Sequence, residues 1–219
     1  MHFKSLLLST TLGLSALSAQ AVTAYSQDFE SGPLGTEWSG AGTIQGSQGL
    51  SAFGFGQLHL KNDGSSTTQL NLTGLAAHTT MTLSFSLAIW DSADLGDLFQ
   101  VAVDGNFLFN STDFGNYYPG DNISHGPGVH ITAPFTDFNT PNYGYNSYHD
   151  AAQTVSFTFA HSASTMQFNI QYPSSQGAPD EAFGIDNVMV VTNAVPEPGT
   201  YAMMAAGLGL LGLARRRRS

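Results

Sequence analysis

The stretch Asp91-Ser-Ala-Asp94-Leu-Gly-Asp97 sets three carboxylates directly after Trp90. Carboxylates this close together can hold a hard cation or accept hydrogen bonds from sugar hydroxyls. The spacing is not that of an EF-hand loop, which needs D-x-[DN]-x-[DN]-G. Trp90, Asp91 and Asp97 are therefore candidate ligand-binding residues, against the alternative of a solvated turn. A second group is aromatic. Tyr117, Tyr118, Tyr143 and Tyr145, with Tyr148 nearby, lie among Asn, Asp and Gly between residues 110 and 150. Sugars present apolar C–H faces that stack on such rings while polar neighbours take the hydroxyls. The same rings can instead pack a long loop onto the fold. The histidines of this region, His125, His130 and His149, form no HExxH pair. There is no GxSxG elbow and no Walker loop. Gly207-Leu-Gly209-Leu-Leu-Gly212 is a literal GxGxxG, but it follows no strand and no acidic residue stands about twenty positions on, so a dinucleotide site is excluded. Acids are numerous enough for a glycosidase pair. No nucleophile, base and orienting group can be named, however, and the chain reads as a non-enzyme.

These side chains must be positioned by strands. Between residues 28 and 191, period-two alternation dominates. Met81, Leu83, Phe85, Leu87 and Ile89 face one way, and Thr82, Ser84, Ser86 and Ala88 the other. That is a half-buried antiparallel strand over 80–90. Phe99, Val101 and Val103 repeat the pattern, Asp104-Gly105 signals a hairpin, and residues 107–109 return. Val155, Phe157 and Phe159, then Met166, Phe168 and Ile170, alternate with polar residues. Weaker strands are predicted at 57–61, 69–72 and 185–191. No helical stripe occurs away from the termini. Many short strands with Gly, Asn and Ser punctuation predict one all-β domain, a single antiparallel jelly-roll-like β-sandwich over 22–191, with a linker at 192–195.

Charge is distributed unevenly. Of the sixteen acidic residues, fifteen lie from Asp28 to Asp186, where Lys61 is the one basic residue, a formal net of −14. Such a body repels nucleic acid and anionic membranes and attracts divalent cations. The 219 residues include no cysteine, which excludes a disulfide scaffold, a Cys-ligated zinc and a Cys lipid anchor. The N-terminus has a basic Lys4, an apolar run from Leu6 to Leu17 and a small-x-small Ala19-Gln20-Ala21. It reads as a secretory signal peptide over 1–21, with a helical apolar region.

The C-terminus reads VPEPGTYAMMAAGLGLLGLARRRRS. Tyr201 to Ala214 carries no charge. As a helix this run spans about 21 Å, short of a hydrocarbon core of roughly 30 Å. Its Gly and Ala content favours packing in lipid, and the Arg cluster stays cytoplasmic. The segment reads as a short, transient transmembrane helix. Pro196, Glu197 and Pro198, the apolar run, and Arg215, Arg216, Arg217 and Arg218 together resemble the PEP-CTERM sorting signal, over 196–219. The resemblance implies an exported protein of a Gram-negative bacterium, cut by signal peptidase and then by the membrane protease exosortase. It passes through the inner membrane to the cell surface or matrix, where such proteins are linked with exopolysaccharide, biofilm or flocs.

The two ends of the body carry a looser likeness. Gln27-Asp-Phe-Glu-Ser-Gly32, followed by Trp38, opens it and Asp180-Glu-Ala-Phe-Gly-Ile-Asp-Asn-Val188 closes it. The pair is similar to jelly-roll modules of the carbohydrate-binding and concanavalin-like kind. The resemblance implies that the first and last strands pair and that a structural Ca2+ sits beside them. Glu30 and Asp186 become its ligand candidates, with backbone carbonyls near Asp28. The expectation is a surface or matrix protein that binds or organises exopolysaccharide. The alternative is a secreted glycosidase or lyase.

Overall fold

The computed structural model describes residues 20–47, 50–90, 98–111, 129–131, 136–137, 151–173, 181–195 and 198–217. In chain order the strands are β1 (Gln20–Gln27), β2 (Trp38–Gly40), β3 (Thr43–Gly46), β4 (Leu58–Asp63), β5 (Thr67–Thr73), β6 (His78–Trp90), β7 (Phe99–Val103), β8 (Asn106–Ser111), β9 (Val129–Ile131), β10 (Thr136–Asp137), β11 (Ala151–Ala160), β12 (Thr165–Gln171) and β13 (Ala182–Ala194). A 3-10 turn covers Leu50–Phe53, and one helix, α1, covers Pro198–Arg216. The body (Ala21–Val195) and the terminal segments are separate units and are described each by itself.

The strands form two antiparallel sheets, the β-sandwich that the alternation predicts. One sheet has eight strands, in the order β10-β11-β6-β13-β4-β3, with β1 beside β13 and β9 beside β11. The other has five, in the order β2-β5-β12-β7-β8. The core between them is built from alternate residues. Leu83, Phe85, Leu87, Val155, Phe157, Ile185 and Val190 come from the larger sheet, and Leu70, Val101, Phe168 and Ile170 from the smaller. Phe85 meets Phe168 across the layers with ring centroids 5.7 Å apart. Two-sided burial of alternate apolar residues is what joins the sheets.

Four local features depart from the sequence pattern. Strand β6 is half-buried only in its first part. From Ser86 onward both faces are covered, because Leu50, Phe55 and Ala182 pack on Ala88 and Trp90 to form a second, smaller core. Strand β1 begins at Gln20, so Gln20 and Ala21, assigned to the signal peptide, open the first strand; residues 1–19 lie outside those described. The linker expected at 192–195 is largely strand. The β-branched run continues β13 through Ala194, Thr192 is buried, and Thr192 Oγ1 donates to Val22 O at 3.5 Å. The β7–β8 hairpin has the expected left-handed turn at Asp104 (φ 50°) and Gly105 (φ 77°). Yet Val101 pairs with Phe109 and Ala102 with Phe107, leaving Leu108 as an extra residue. This bulge turns Phe107 outward, 56% exposed, while Phe109 stays in the core.

Helix α1 opens on Pro198, whose fixed φ and missing N–H suit a first helical position. Arg215 and Arg216 lie in its last turn, where cations complement the helix dipole. Among the described residues no helix is long and apolar enough to cross a membrane. The expected transmembrane helix is thus a helix whose apolar run stops short of a full span.

Candidate functional site

The carboxylates of Glu30 and Asp186, 156 positions apart in sequence, both come up against Gly56, near the junction of the first and last strands. They do so because β1 pairs with β13, as the jelly-roll likeness implies. Gly56 sits between them. Its N–H donates to Asp186 Oδ2 at 2.7 Å, and a Cβ on Gly56 would collide with Glu30 Oε1. Leu58 N donates to Glu30 Oε1 at 2.9 Å. One short segment, 56–58, therefore holds both carboxylates.

Backbone conformation on each side aims them. Phe29 (φ 56°) and Asn187 (φ 51°) both adopt the left-handed region, which is strained for a residue as bulky as Phe. Gln27 Oε1 accepts from Phe29 N at 2.8 Å and Asp28 Oδ1 from Glu30 N at 3.2 Å, which fixes the first turn. At the second, the register of β13 against β6 shifts between Asp186 and Met189. This bulge lets Ile185, Asp186 and Val188 all be buried while Asn187 stays exposed. Asn187 N donates to Asp186 Oδ1 at 2.7 Å, and Asn187 Nδ2 donates to Gly54 O at 2.8 Å.

Asp186 is fully buried. Burial, opposed by hydrogen bonds from Gly56 and Asn187 and reinforced by the nearby charges of Glu30 and Asp28, raises its pKa to about 6. One buried carboxylate thus stands beside two exposed ones, Glu30 and Asp28, a like-charge arrangement that a bound cation would relieve. An open cleft of about 450 Å³, lined by Ser26, Gln27, Asp28, Ser31, Asn187 and neighbours, adjoins this point. Among the described residues no three His, Asp or Glu side chains group closely enough to hold a metal ion. A cation here would rest on two carboxylates completed by carbonyl and water oxygens, a donor set that suits a hard divalent ion.

The other predicted ligand residues fare differently. Trp90 is 0% exposed. Its ring lies 5.4 Å from that of His59 and close against Gly184, so it supports the smaller core and offers no platform to a ligand. The alternation of β6 put Trp90 at a strand end, and the segment that covers it is distant in sequence. Asp91, Asp97, Tyr117, Tyr118, Tyr143 and Tyr145 lie outside the described residues. So do Pro196, Glu197 and Arg218, whereas Pro198, Arg215 and Arg216 belong to α1 and Arg217 follows it. Sequence reasoning missed Gly56, Leu58 and Asn187. The Gly54-Phe-Gly56 spacing was the available signal for a close approach.

Comparison with known proteins addresses both parts of the chain. Residues 194–218 match the PEP-CTERM protein-sorting motif, which marks the chain for export and membrane-associated sorting. No curated protein matches the chain. Among solved structures, a family 35 carbohydrate-binding module from an environmental isolate is 14% identical, with a TM-score of 0.41 over 78% of this chain and 99% of that one. The C-terminal CBM6 of the laminarinase LamC from Zobellia galactanivorans is 16% identical, with a TM-score of 0.37 over 79% and 99%. The Agl-KA catalytic domain is 17% identical with a TM-score of 0.37, and the match spans 86% of this chain but only 30% of that domain.

Proposed function

We propose that this chain is an exported, exosortase-processed surface or matrix protein that binds or organises exopolysaccharide. The match of residues 194–218 to the PEP-CTERM motif carries this reading. Pro196-Glu197-Pro198 is the recognition point, and the arginines from Arg215 to Arg218 halt export so that exosortase can act. Signal peptidase and exosortase are its processing partners, and the inner membrane is a station on its route. A polysaccharide partner accords with a polar, acidic sandwich that repels nucleic acid. Replacing Pro196, Glu197 and Pro198 by Ala tests the sorting step. The variant should accumulate in the membrane fraction at its uncut mass; normal release would refute the reading.

A structural Ca2+ at Glu30 and Asp186, with carbonyl oxygen from the Asp28 segment, would neutralise the buried charge and fasten the first strand to the last. Its role is to hold the fold rather than to touch ligand. Removal by chelator should lower the melting temperature, and Ca2+ should restore it. An unchanged melting temperature would rule the ion out.

A further inference from the structure

The outward face of the five-stranded sheet carries amide and hydroxyl side chains. Its side chains form cross-strand rows, since Gln171 pairs with Thr67 and with Gln100, and Gln100 with Asn110. Along that row the hydrogen bonds run one way. Thr67 Oγ1 donates to Gln171 Oε1 at 3.0 Å, Gln171 Nε2 to Gln100 Oε1, and Gln100 Nε2 to Asn110 Oδ1 at 3.0 Å. A parallel row holds Gln69, Asn169, Ala102 and Phe107. An open cleft of about 390 Å³ lies over both, floored by the small residues Ala102 and Gly105 and walled by the exposed Phe107 ring.

We propose that this face is the glycan-binding surface of the protein and that it takes an uncharged polysaccharide chain, a proposal that rests on the polysaccharide-binding reading above. Each primary amide has two N–H donors and two acceptor lone pairs. Gln171 and Gln100 each spend one of each along the row, and Asn110 one acceptor, so every amide of the row keeps a donor and an acceptor for solvent or ligand. Sugar hydroxyls donate and accept in the same way. Because the amides hold one another in place, little side-chain freedom is lost on binding. Phe107 supplies the apolar surface on which a sugar ring lies. Charge selects the ligand: among the described residues that line this cleft there is no acid and no base. Those residues offer a nucleic acid or a uronate chain no cation, and a metal no carboxylate.

The test is electrophoresis of the full-length chain and its variants through gels containing soluble β-glucan, mannan, galactan or alginate. The wild type is expected to be retarded by at least one of the three neutral polysaccharides. Phe107→Ala and the double variant Gln100→Ala/Gln171→Ala should each weaken that retardation about tenfold or more, one lost contact of roughly 1.4 kcal/mol being a factor of ten. Thr158→Ala, on the outer face of the other sheet, should leave it unchanged. Circular dichroism confirms that each variant is folded. Undiminished retardation of both cleft variants overturns this site while leaving polysaccharide binding intact. Retardation by alginate alone overturns the uncharged ligand. No retardation by any gel overturns the site and the binding reading together. A dimer in solution that Phe107→Ala dissolves would assign the face to a second copy and also overturn the proposal.

Discussion

Asp186 couples the candidate cation site to pH. Its folded pKa, about 6, lies above the ordinary value of 3.8. Its contribution to stability is therefore fully present below pH 3.8 and is lost as pH rises through 6. His59 acts in the opposite direction. Burial, then the charge of Lys61, lowers its pKa to about 4, so its contribution is present above the ordinary value of 6.5 and is lost as pH falls through 4. Thermal melts of wild type and Asp186→Asn in chelator separate the two. Between pH 7 and pH 5 the wild type should gain stability relative to Asp186→Asn, whose melting temperature carries only the His59 trend. If the two curves run parallel, Asp186 does not titrate as described. Ca2+ should also stabilise the wild type more at pH 7 than at pH 5, because binding needs both carboxylates ionised. A residue of another kind, Gly184, marks the smaller core. A Cβ there would stand 2.6 Å from Trp90 Cη2 and 2.7 Å from His59 Cδ2. Gly184→Ala overpacks this site and should cost about 1–3 kcal/mol in urea unfolding. Glu30 and Asp186 were legible as a pair because their flanking motifs resemble known modules. Gly56 and Asn187 were not, since their roles depend on which distant strands pair.

At the scale of elements, the histidines His78 and His161 tie three connections together. His78 Nδ1 donates to Ala76 O at 2.6 Å, His78 Nε2 meets His161 Nδ1 at 2.7 Å, and His161 Nε2 donates to Asp104 Oδ2 at 3.0 Å. The rings are nearly parallel, at 11°, with centroids 5.0 Å apart. With a nitrogen–nitrogen contact of 2.7 Å that separation is an end-to-end hydrogen bond in one plane rather than a face-on stack. Three bonds thus run in one line from Ala76 O through both rings to the Asp104 carboxylate. The chain clamps the start of β6 and the β11–β12 connection to the β7–β8 turn, where Asp104 Oδ1 also accepts from Gln167 N at 2.8 Å. His161→Ala leaves His78, only 4% exposed, short of a partner. It should destabilise by about 1–3 kcal/mol, read as a lower urea midpoint at unchanged slope. A midpoint equal to wild type would show that the clamp carries no stability. Elements with full alternation, β6, β7, β11 and β12, were legible in sequence. Strands β2, β9 and β10 were not, because two or three residues are too few to show a period. β1 was masked by its overlap with the signal-peptide motif. Phe107 reads as a core residue by spacing, and only the bulge at Leu108, set by pairing with β7, turns it out.

For the whole molecule, the division of labour follows from where charge and apolar surface lie. The body holds its apolar residues between two sheets and carries a net charge of −14, while the cations gather at the C-terminal end of a Gly-rich helix. Under the proposed function the body works in water and the tail stops briefly in lipid. The body's charge predicts negligible retention on heparin or on vesicles of anionic lipid once the tail is removed, and retention on vesicles by the uncut chain through Arg215 to Arg218. Equal retention of both forms would contradict that assignment. The most direct test of the account is the intact mass of the protein recovered from the cell surface or medium of the producing bacterium. The expected mass is that of a chain lacking both the N-terminal signal peptide, residues 1–21, and the C-terminal segment beyond the Pro196-Glu197-Pro198 region. A surface protein whose mass still includes the apolar helix and Arg215 to Arg218 would contradict it.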